Sequence, residues 1–231
     1  MARVLILRPA EDAATTARAL AARGHTPQVL PAEEIVPLGT AAPAGSFAAL
    51  LVTSAHAVPA LARHPSAAWP AILAVGERTA EALRAAGFDR VTVGCGAAGL
   101  VEPAAALAAA RGLPLLYAAG RVRSDALETT LAERSVCLGV WEVYDIRPLD
   151  PGQEEIARAT QGAPPDAVLL LSRGQVSAYL RLAESLPREP GAAPRLLCLS
   201  SRIADALPAE LRSLAEISPA MSLATLFDHV L

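Results

Sequence analysis

The chain has 231 residues, 53% of them apolar and 19% charged, and a formal net charge of −3. Its length exceeds the ~100–200 residues typical of one domain, so two compact units, each with its own core, are expected. The composition excludes a largely disordered chain, and the mild negative charge gives no concentrated basic face for nucleic acid.

The first element is Val4–Leu7, read as a strand; ending at Arg8 and Pro9, it falls short of the ~7–15 residues of a signal-peptide core. No apolar run approaches the ~20 residues of a membrane span, so a soluble, cytoplasmic protein that binds no membrane is expected. A helix at Asp12–Arg23 and a strand at Pro27–Leu30 follow. Strands and helices then alternate: strand Ala49–Thr53 with helix Ala55–Arg63, Ile72–Val75 with Glu77–Ala86, Val91–Val93 with Leu100–Arg111, and Leu115–Tyr117 with Asp125–Arg134. The pattern continues with Leu138–Val143 and Gln153–Thr160, Val168–Leu171 and Gln175–Ser185, Leu196–Leu199 and Arg202–Leu207, and Glu216–Ile217 and Leu223–Val230. Such alternation predicts parallel α/β architecture.

An internal repeat organises these elements. LLVTSAHAV at Leu50–Val58 resembles LLLSRGQV at Leu169–Val176, and ILAVGERTAEALRAAG at Ile72–Gly87 resembles LLCLSSRIADALPAEL at Leu196–Leu211. Leu5–Gly24 parallels Leu115–Ser135, but in a different order along the chain. Two copies of one fold are implied. An inserted domain spans 39–140, and a discontinuous one, read as the circularly permuted copy, is formed by 1–30 and 150–231. The crossings, 31–38 (PAEEIVPL) and 141–149 (WEVYDIRPL), are Pro-bearing and extended, and suit a two-stranded connector. A cleft between two such domains is where a sizeable small molecule is expected to bind.

In a parallel sheet the ligand-facing edge lies at the strand carboxyl ends. The residues there are Arg8; Thr53 and Ser54; Gly76, Glu77 and Thr79; Arg121 and Arg123; Ser172; Ser200; and Ser218. Each group opens a helix, where free N–H groups and the dipole favour anions, and arginine adds a planar fork suited to carboxylates. Ser and Thr at helix starts are also ordinary N-caps. No nucleotide signature occurs. Cys95, Cys137 and Cys198, odd in number and without C-x-x-C spacing, suggest neither a disulfide framework nor a zinc site. The four histidines have no metal spacing, and His56 is read as structural. Tyr144 follows the strand Leu138–Val143, where its phenol either donates to a ligand or packs on the connector.

VLILRP, TSAHAV, VGERTAEALRAAGF, LETTLAERS after a Gly-Arg stretch, and WEVYDIRP, in this order and spacing over essentially the whole chain, resemble uroporphyrinogen-III synthases. The resemblance implies two flavodoxin-like parallel-sheet domains, one circularly permuted relative to the other, joined by a two-stranded ladder. It implies a monomeric, cofactor-free hydro-lyase of tetrapyrrole and heme biosynthesis, acting on a linear tetrapyrrole with many carboxylates. Water leaves the terminal hydroxymethyl group of hydroxymethylbilane, the resulting azafulvene is attacked by ring D at its substituted carbon, and a spirocyclic intermediate recloses with that ring inverted. It places the site at Thr53, Ser54, Gly76 and Thr79, with Tyr144 assisting departure of hydroxide and Ser172 helping to hold carboxylate arms; Arg8 and Ser200 are added as substrate-binding candidates from their strand-end positions. Two departures stand out. Ser200-Ser201-Arg202-Ile203 lacks the hydroxyl expected at Ile203, and Ser124 stands where an arginine is expected, leaving Arg121 or Arg123 to hold carboxylates. A non-catalytic sensor of an anionic metabolite and a flavodoxin-like nucleotide protein are the competing readings.

Overall fold

A computed structural model describes residues 1–64 and 69–231. These divide into a discontinuous unit, Met1–Glu34 with Arg147–Leu231, and a continuous unit, Ile35–Ile146. Each is built on a largely parallel sheet sandwiched by helices.

The discontinuous unit begins with β1 (Arg3–Ile6), α1 (Ala10–Ala21) and β2 (Thr26–Val29), and resumes with α6 (Gln153–Thr160), β9 (Ala167–Leu170), α7 (Arg173–Leu182), β10 (Arg195–Cys198), α8 (Ser201–Ala204), β11 (Ala215–Ile217) and α9 (Leu223–Val230). The other unit holds β4 (Ala49–Val52), a 3-10 turn (Ala55–Ala57) leading into α2 (Val58–Leu61), β5 (Ala71–Ala74), α3 (Glu77–Ala85), β6 (Val91–Val93), α4 (Ala98–Arg111), β7 (Leu115–Gly120) and α5 (Ala126–Glu133). Strands β3 (Glu33–Pro37) and β8 (Leu138–Pro148) carry the chain past the two boundaries between the units. They are neighbours in the sheet. Leu38 N donates to Val143 O and Leu149 N to Ala32 O, so the pairing is antiparallel.

The discontinuous sheet runs β2-β1-β9-β10-β11, which in order of appearance is 2-1-3-4-5, the flavodoxin-like order. In the six-stranded sheet, β8-β7-β4-β5-β6 has the same spatial order, but the chain enters at the third position and reaches the first two last. The permutation therefore lies in the inserted unit and not, as the repeats suggested, in the discontinuous one. An insertion leaves strand order intact; moving the βαβ pair to the end does not.

Central strands are buried on both faces, which is why their sequences are apolar runs without alternation. In β4, Leu50 and Val52 pack with Leu116, Ala118 and Trp141 on one face, while Ala49 and Leu51 pack with Leu115, Tyr117 and Leu131 on the other. In the discontinuous unit Leu5, Val168 and Leu196 face α7, and Val4, Leu169 and Leu197 face α1 and α9. Each such leucine removes enough surface from water to stabilise the fold by about 1.5–3 kcal/mol.

The segments 31–38 and 141–149, expected as a two-stranded connector, contain β3 and the far half of β8, which are neighbours in the sheet. Two differences from the expected elements have simple causes. Strand β8 runs unbroken to Pro148, because β3 pairs with its far end. Helix α8 stops at Ala204, and the residues up to Pro208 form turns because proline supplies no N–H to extend the helix.

Candidate active site

In the continuous unit, β4, β5, β7 and β8 are parallel, so the residues that follow them share one edge. Thr53 comes directly after β4, and its Oγ1 is 2.7 Å from the Tyr117 hydroxyl. Ser54 is extended and caps the next turn, accepting from His56 N at 3.2 Å. The capping role and exposure at the sheet edge coexist in this residue.

Tyr144 owes its direction to an irregularity. Ala119 pairs with Glu142 but Gly120 pairs with Tyr144, so β8 carries one extra residue between them. Strict alternation would put Tyr144 on the face of Leu138 and Val140; the bulge turns it to that of Trp141 and Val143, where it is 8% exposed. Bulges commonly re-aim side chains in this way. The phenol meets the His56 ring edge-on, 5.7 Å between centroids. Burial raises its pKa above the ordinary phenol value, with the Ser54 side chain acting in the opposite sense. The Tyr117 phenol is also raised by burial, opposed by its bond to Thr53. Both phenols therefore keep their protons at neutral pH.

Gly76 begins α3 with extended backbone (φ −175°), and a Cβ there would meet nothing within 4 Å, so nothing in its own unit requires glycine. Thr79, in the first turn of α3, is buried. Arg121 and Arg123 are engaged with the protein's own carboxylates. Arg121 contacts Glu142 at 3.2 Å and Asp145 at 3.3 Å, and Arg123 contacts Glu128 at 2.6 Å and Glu142 at 3.0 Å. Ser124, at the position of the expected arginine, accepts from Ala126 N at 3.4 Å at the start of α5.

In the discontinuous unit the corresponding edge carries Arg8, Ser172 and Ser200. Arg8 is buried and turned onto α1, 2.9 Å from both Asp12 Oδ2 and Thr16 Oγ1. Ser172 caps α7, accepting from Gln175 N at 3.1 Å. Ser200 has extended backbone at the start of α8 and makes no capping hydrogen bond. Ile203 is buried in the core, so the missing hydroxyl of this turn is replaced by packing. The structure thus gathers Thr53, Ser54 and Tyr144 about one sheet edge and Arg8 and Ser172 about the other unit's edge.

The sequence reading missed Tyr117, hidden in an apolar strand, and Glu33, in the extended crossing. Glu33 is buried, receives a hydrogen bond from Gln175 Nε2 at 3.5 Å, and has its pKa raised by burial. Among the described residues no group of three His, Cys, Asp or Glu could hold a metal ion. Cys95 and Cys137 are exposed, whereas burial pushes the Cys198 thiol up to about 11. A cavity of about 490 Å³ lined by Arg3, Asp166, Tyr179, Arg188 and Arg195 lies at the opposite, amino-terminal edge of the discontinuous sheet and includes none of the expected site residues.

Fold and site together define a two-unit α/β protein that repeats one flavodoxin-like sheet order in two chain permutations, with hydroxyl groups and a phenol at a strand-end edge. The sequence family described as uroporphyrinogen-III synthase HemD matches residues 14–216, and the chain belongs to that family. Uroporphyrinogen-III synthetase from Helicobacter pylori superposes with a TM-score of 0.65 over 99% of this chain and 97% of its own, at 16% identity. A mutant uroporphyrinogen III synthase from Thermus thermophilus gives 0.54 over 99% and 96%, at 20% identity. At these identities the likeness is one of fold. Comparison with curated proteins gives no significant match. No helix among the described residues is long and apolar enough to cross a membrane.

Proposed function

We propose that this protein is a uroporphyrinogen-III synthase, converting hydroxymethylbilane to uroporphyrinogen III with loss of one water and inversion of ring D. Membership of the family across 14–216 carries the reading. The linear substrate also closes spontaneously without inversion, so the protein's task is to hold the reacting ends in the inverting arrangement, which is catalysis by positioning. Tyr144 is the group assigned to the chemistry: its protonated phenol donates to the departing hydroxyl as the terminal C–O bond breaks. Thr53, Ser54, Thr79, Ser172 and Ser200 receive carboxylate arms with the N–H groups of the helix starts, including the one at Gly76. Arg121 and Arg123 are assigned to arms at the rim, in exchange with Glu142. Arg8 acts through Asp12 and Thr16 as a positioning residue. The same reading includes a monomer acting in the cytoplasm, without cofactor, nucleic acid or membrane; the net charge of −3 is consistent with it.

The test is to mix purified protein with fresh hydroxymethylbilane, oxidise the products and separate the porphyrin isomers against a control without protein. Predominant type III isomer is expected. Type I alone, at the spontaneous rate, removes the synthase reading and favours a non-catalytic sensor.

A further inference from the structure

Glu33 and Asp12 are the two acidic side chains buried among the described residues. Asp12 is paired with Arg8. Glu33 has no part in the steps above, yet its surroundings are unusually specific. A Cβ on Gly174 would stand 2.3 Å from Glu33 Oε1 and 3.5 Å from Ser172 Oγ, so the carboxyl lies against bare backbone at the start of α7. Gln175 Oε1 accepts from Leu171 N at 2.9 Å, which aims its Nε2 at Glu33.

The permuted repeat gives this position a meaning. Ile6 pairs with Leu169 and Val29 in one sheet, and Tyr117 pairs with Leu51 and Val140 in the other. Three residues beyond Leu169 and Leu51 stand the capping serines, Ser172 and Ser54. Four residues beyond Val29 and Val140 stand Glu33 and Tyr144. Even the next contact corresponds: Tyr144 lies against His56, two residues past its serine, and Glu33 against Gly174, two past its own. Glu33 therefore occupies in one unit the place that Tyr144 occupies in the other.

We propose that Glu33 is a substrate-binding residue of the synthase site, whose carboxylic acid form shares a hydrogen bond with one carboxylate arm of the tetrapyrrole at the start of α7 and whose ionised form repels that arm. This rests on the synthase reading. The groups facing Glu33 are Ser172 before α7, Gln175 and Arg181 of α7, and Arg8, itself tied to Asp12 of α1. Burial outweighs the opposing pull of Gln175, Arg181 and Arg8, so the proton is held to higher pH than on an ordinary glutamate. Two carboxylates sharing one place cannot both remain ionised without cost.

The test is the pH dependence of KM and kcat for hydroxymethylbilane from mildly acid to mildly alkaline pH, with isomers resolved. In the parent protein, KM is expected to rise at least ~3-fold as Glu33 ionises, with kcat little changed. Glu33→Gln, which keeps the shape without the charge, is expected to hold the low KM throughout. Gly174→Ala, whose methyl displaces the carboxyl while favouring the helix, is the second variant, and a flattened KM profile is expected there too. A merely structural Glu33 would alter melting temperature and leave the KM profile unmoved. Profiles for both variants that match the parent's, with type III product formed, overturn this inference alone. Absence of type III product from the parent overturns the synthase reading and this inference together.

Discussion

Gly120 and Tyr144 are in direct contact across β7 and β8: a Cβ built on Gly120 would lie 2.6 Å from Cζ of the phenol and 2.9 Å from its hydroxyl. Tyr144 is pinned between this bare backbone and the His56 ring. Gly120→Ala must push the phenol away. Overpacking of this kind costs about 1–3 kcal/mol, so urea unfolding should shift modestly. Type III formation should fall to the level of the Tyr144→Phe variant. Parent-like turnover in Gly120→Ala would separate the bulge geometry from catalysis.

Tyr144→Phe keeps the ring and removes the donor. If the phenol assists departure of hydroxide while positioning supplies the rest, single-turnover rates should drop on the order of 10²-fold without vanishing. Burial holds this phenol above its ordinary value, so it keeps its proton throughout the neutral range. The parent's rate should therefore show no decline from Tyr144 ionisation below the usual tyrosine range. The raised value also means that its contribution to stability is lost as pH climbs through the folded-state pKa. An unchanged single-turnover rate in the variant would remove Tyr144 from the mechanism.

Much of the fold was legible because the repeat and the strand-helix alternation depend on short apolar runs. Those runs are buried on both faces, as β4 and β9 are, and cannot be mistaken for surface. The two Pro-bearing crossings were legible as a paired connector, and β3 and β8 are neighbours in the sheet. What escaped depends on other pairings distant in sequence. The permutation was visible as a reordered repeat, but only strand order reveals which unit carries it. At the strand-end edge, the capping position of Ser54 was readable from spacing. The Thr53–Tyr117 bond joins residues 64 apart, and no local pattern marks it. Arg121 and Arg123 were readable as cations, but their carboxylate partners on β8 were not. Arg8 looked like an open strand-end cation; its i,i+4 partner Asp12 was the available sign of its inward turn.

Arg8 and Asp12 form an ion pair whose side chains are 11% and 9% exposed. Removing one partner of a buried pair leaves a charge where water cannot reach it, typically at about 3–5 kcal/mol. Asp12→Ala should lower stability by that order in denaturant titration, although Asp12 itself is assigned no substrate contact. A loss below about 1 kcal/mol, typical of exposed pairs, would show that the pair does not behave as a buried one.

Glu142 is held below the usual carboxylate range first by its bond to Arg123 and then by that to Arg121. A depressed carboxyl stabilises the fold above its unfolded value, and the contribution disappears as pH falls through the folded one. Melting temperatures of Glu142→Gln and the parent should therefore differ at neutral pH and converge in acid. The same substitution relieves Arg121 and Arg123 of a competitor. If they hold carboxylate arms, KM for hydroxymethylbilane should fall at neutral pH, and the gain should shrink with added salt. An unchanged KM would leave the two arginines as structural ties between β8 and the loop after β7.

The chain's two tryptophans, Trp69 and Trp141, both belong to the continuous unit and stack at 5.5 Å between centroids with 26° between planes. Indole rings so close should give an exciton couplet in circular dichroism, and any tryptophan signal reports that unit alone. Trp141→Phe should abolish the couplet. Phenylalanine keeps a ring against Trp69, so only part of the about 0.5–1.5 kcal/mol that an aromatic pair adds beyond buried area should be lost. Trp141 also lies three residues before Tyr144 on the same face of β8, and its indole N–H donates to Thr40 O at 3.3 Å. Loosening that end of the strand should blur the phenol's position. The variant is therefore expected to lose turnover with little change in KM, and a parent-like kcat would mean that the bulge and Gly120 suffice to hold Tyr144 without the indole.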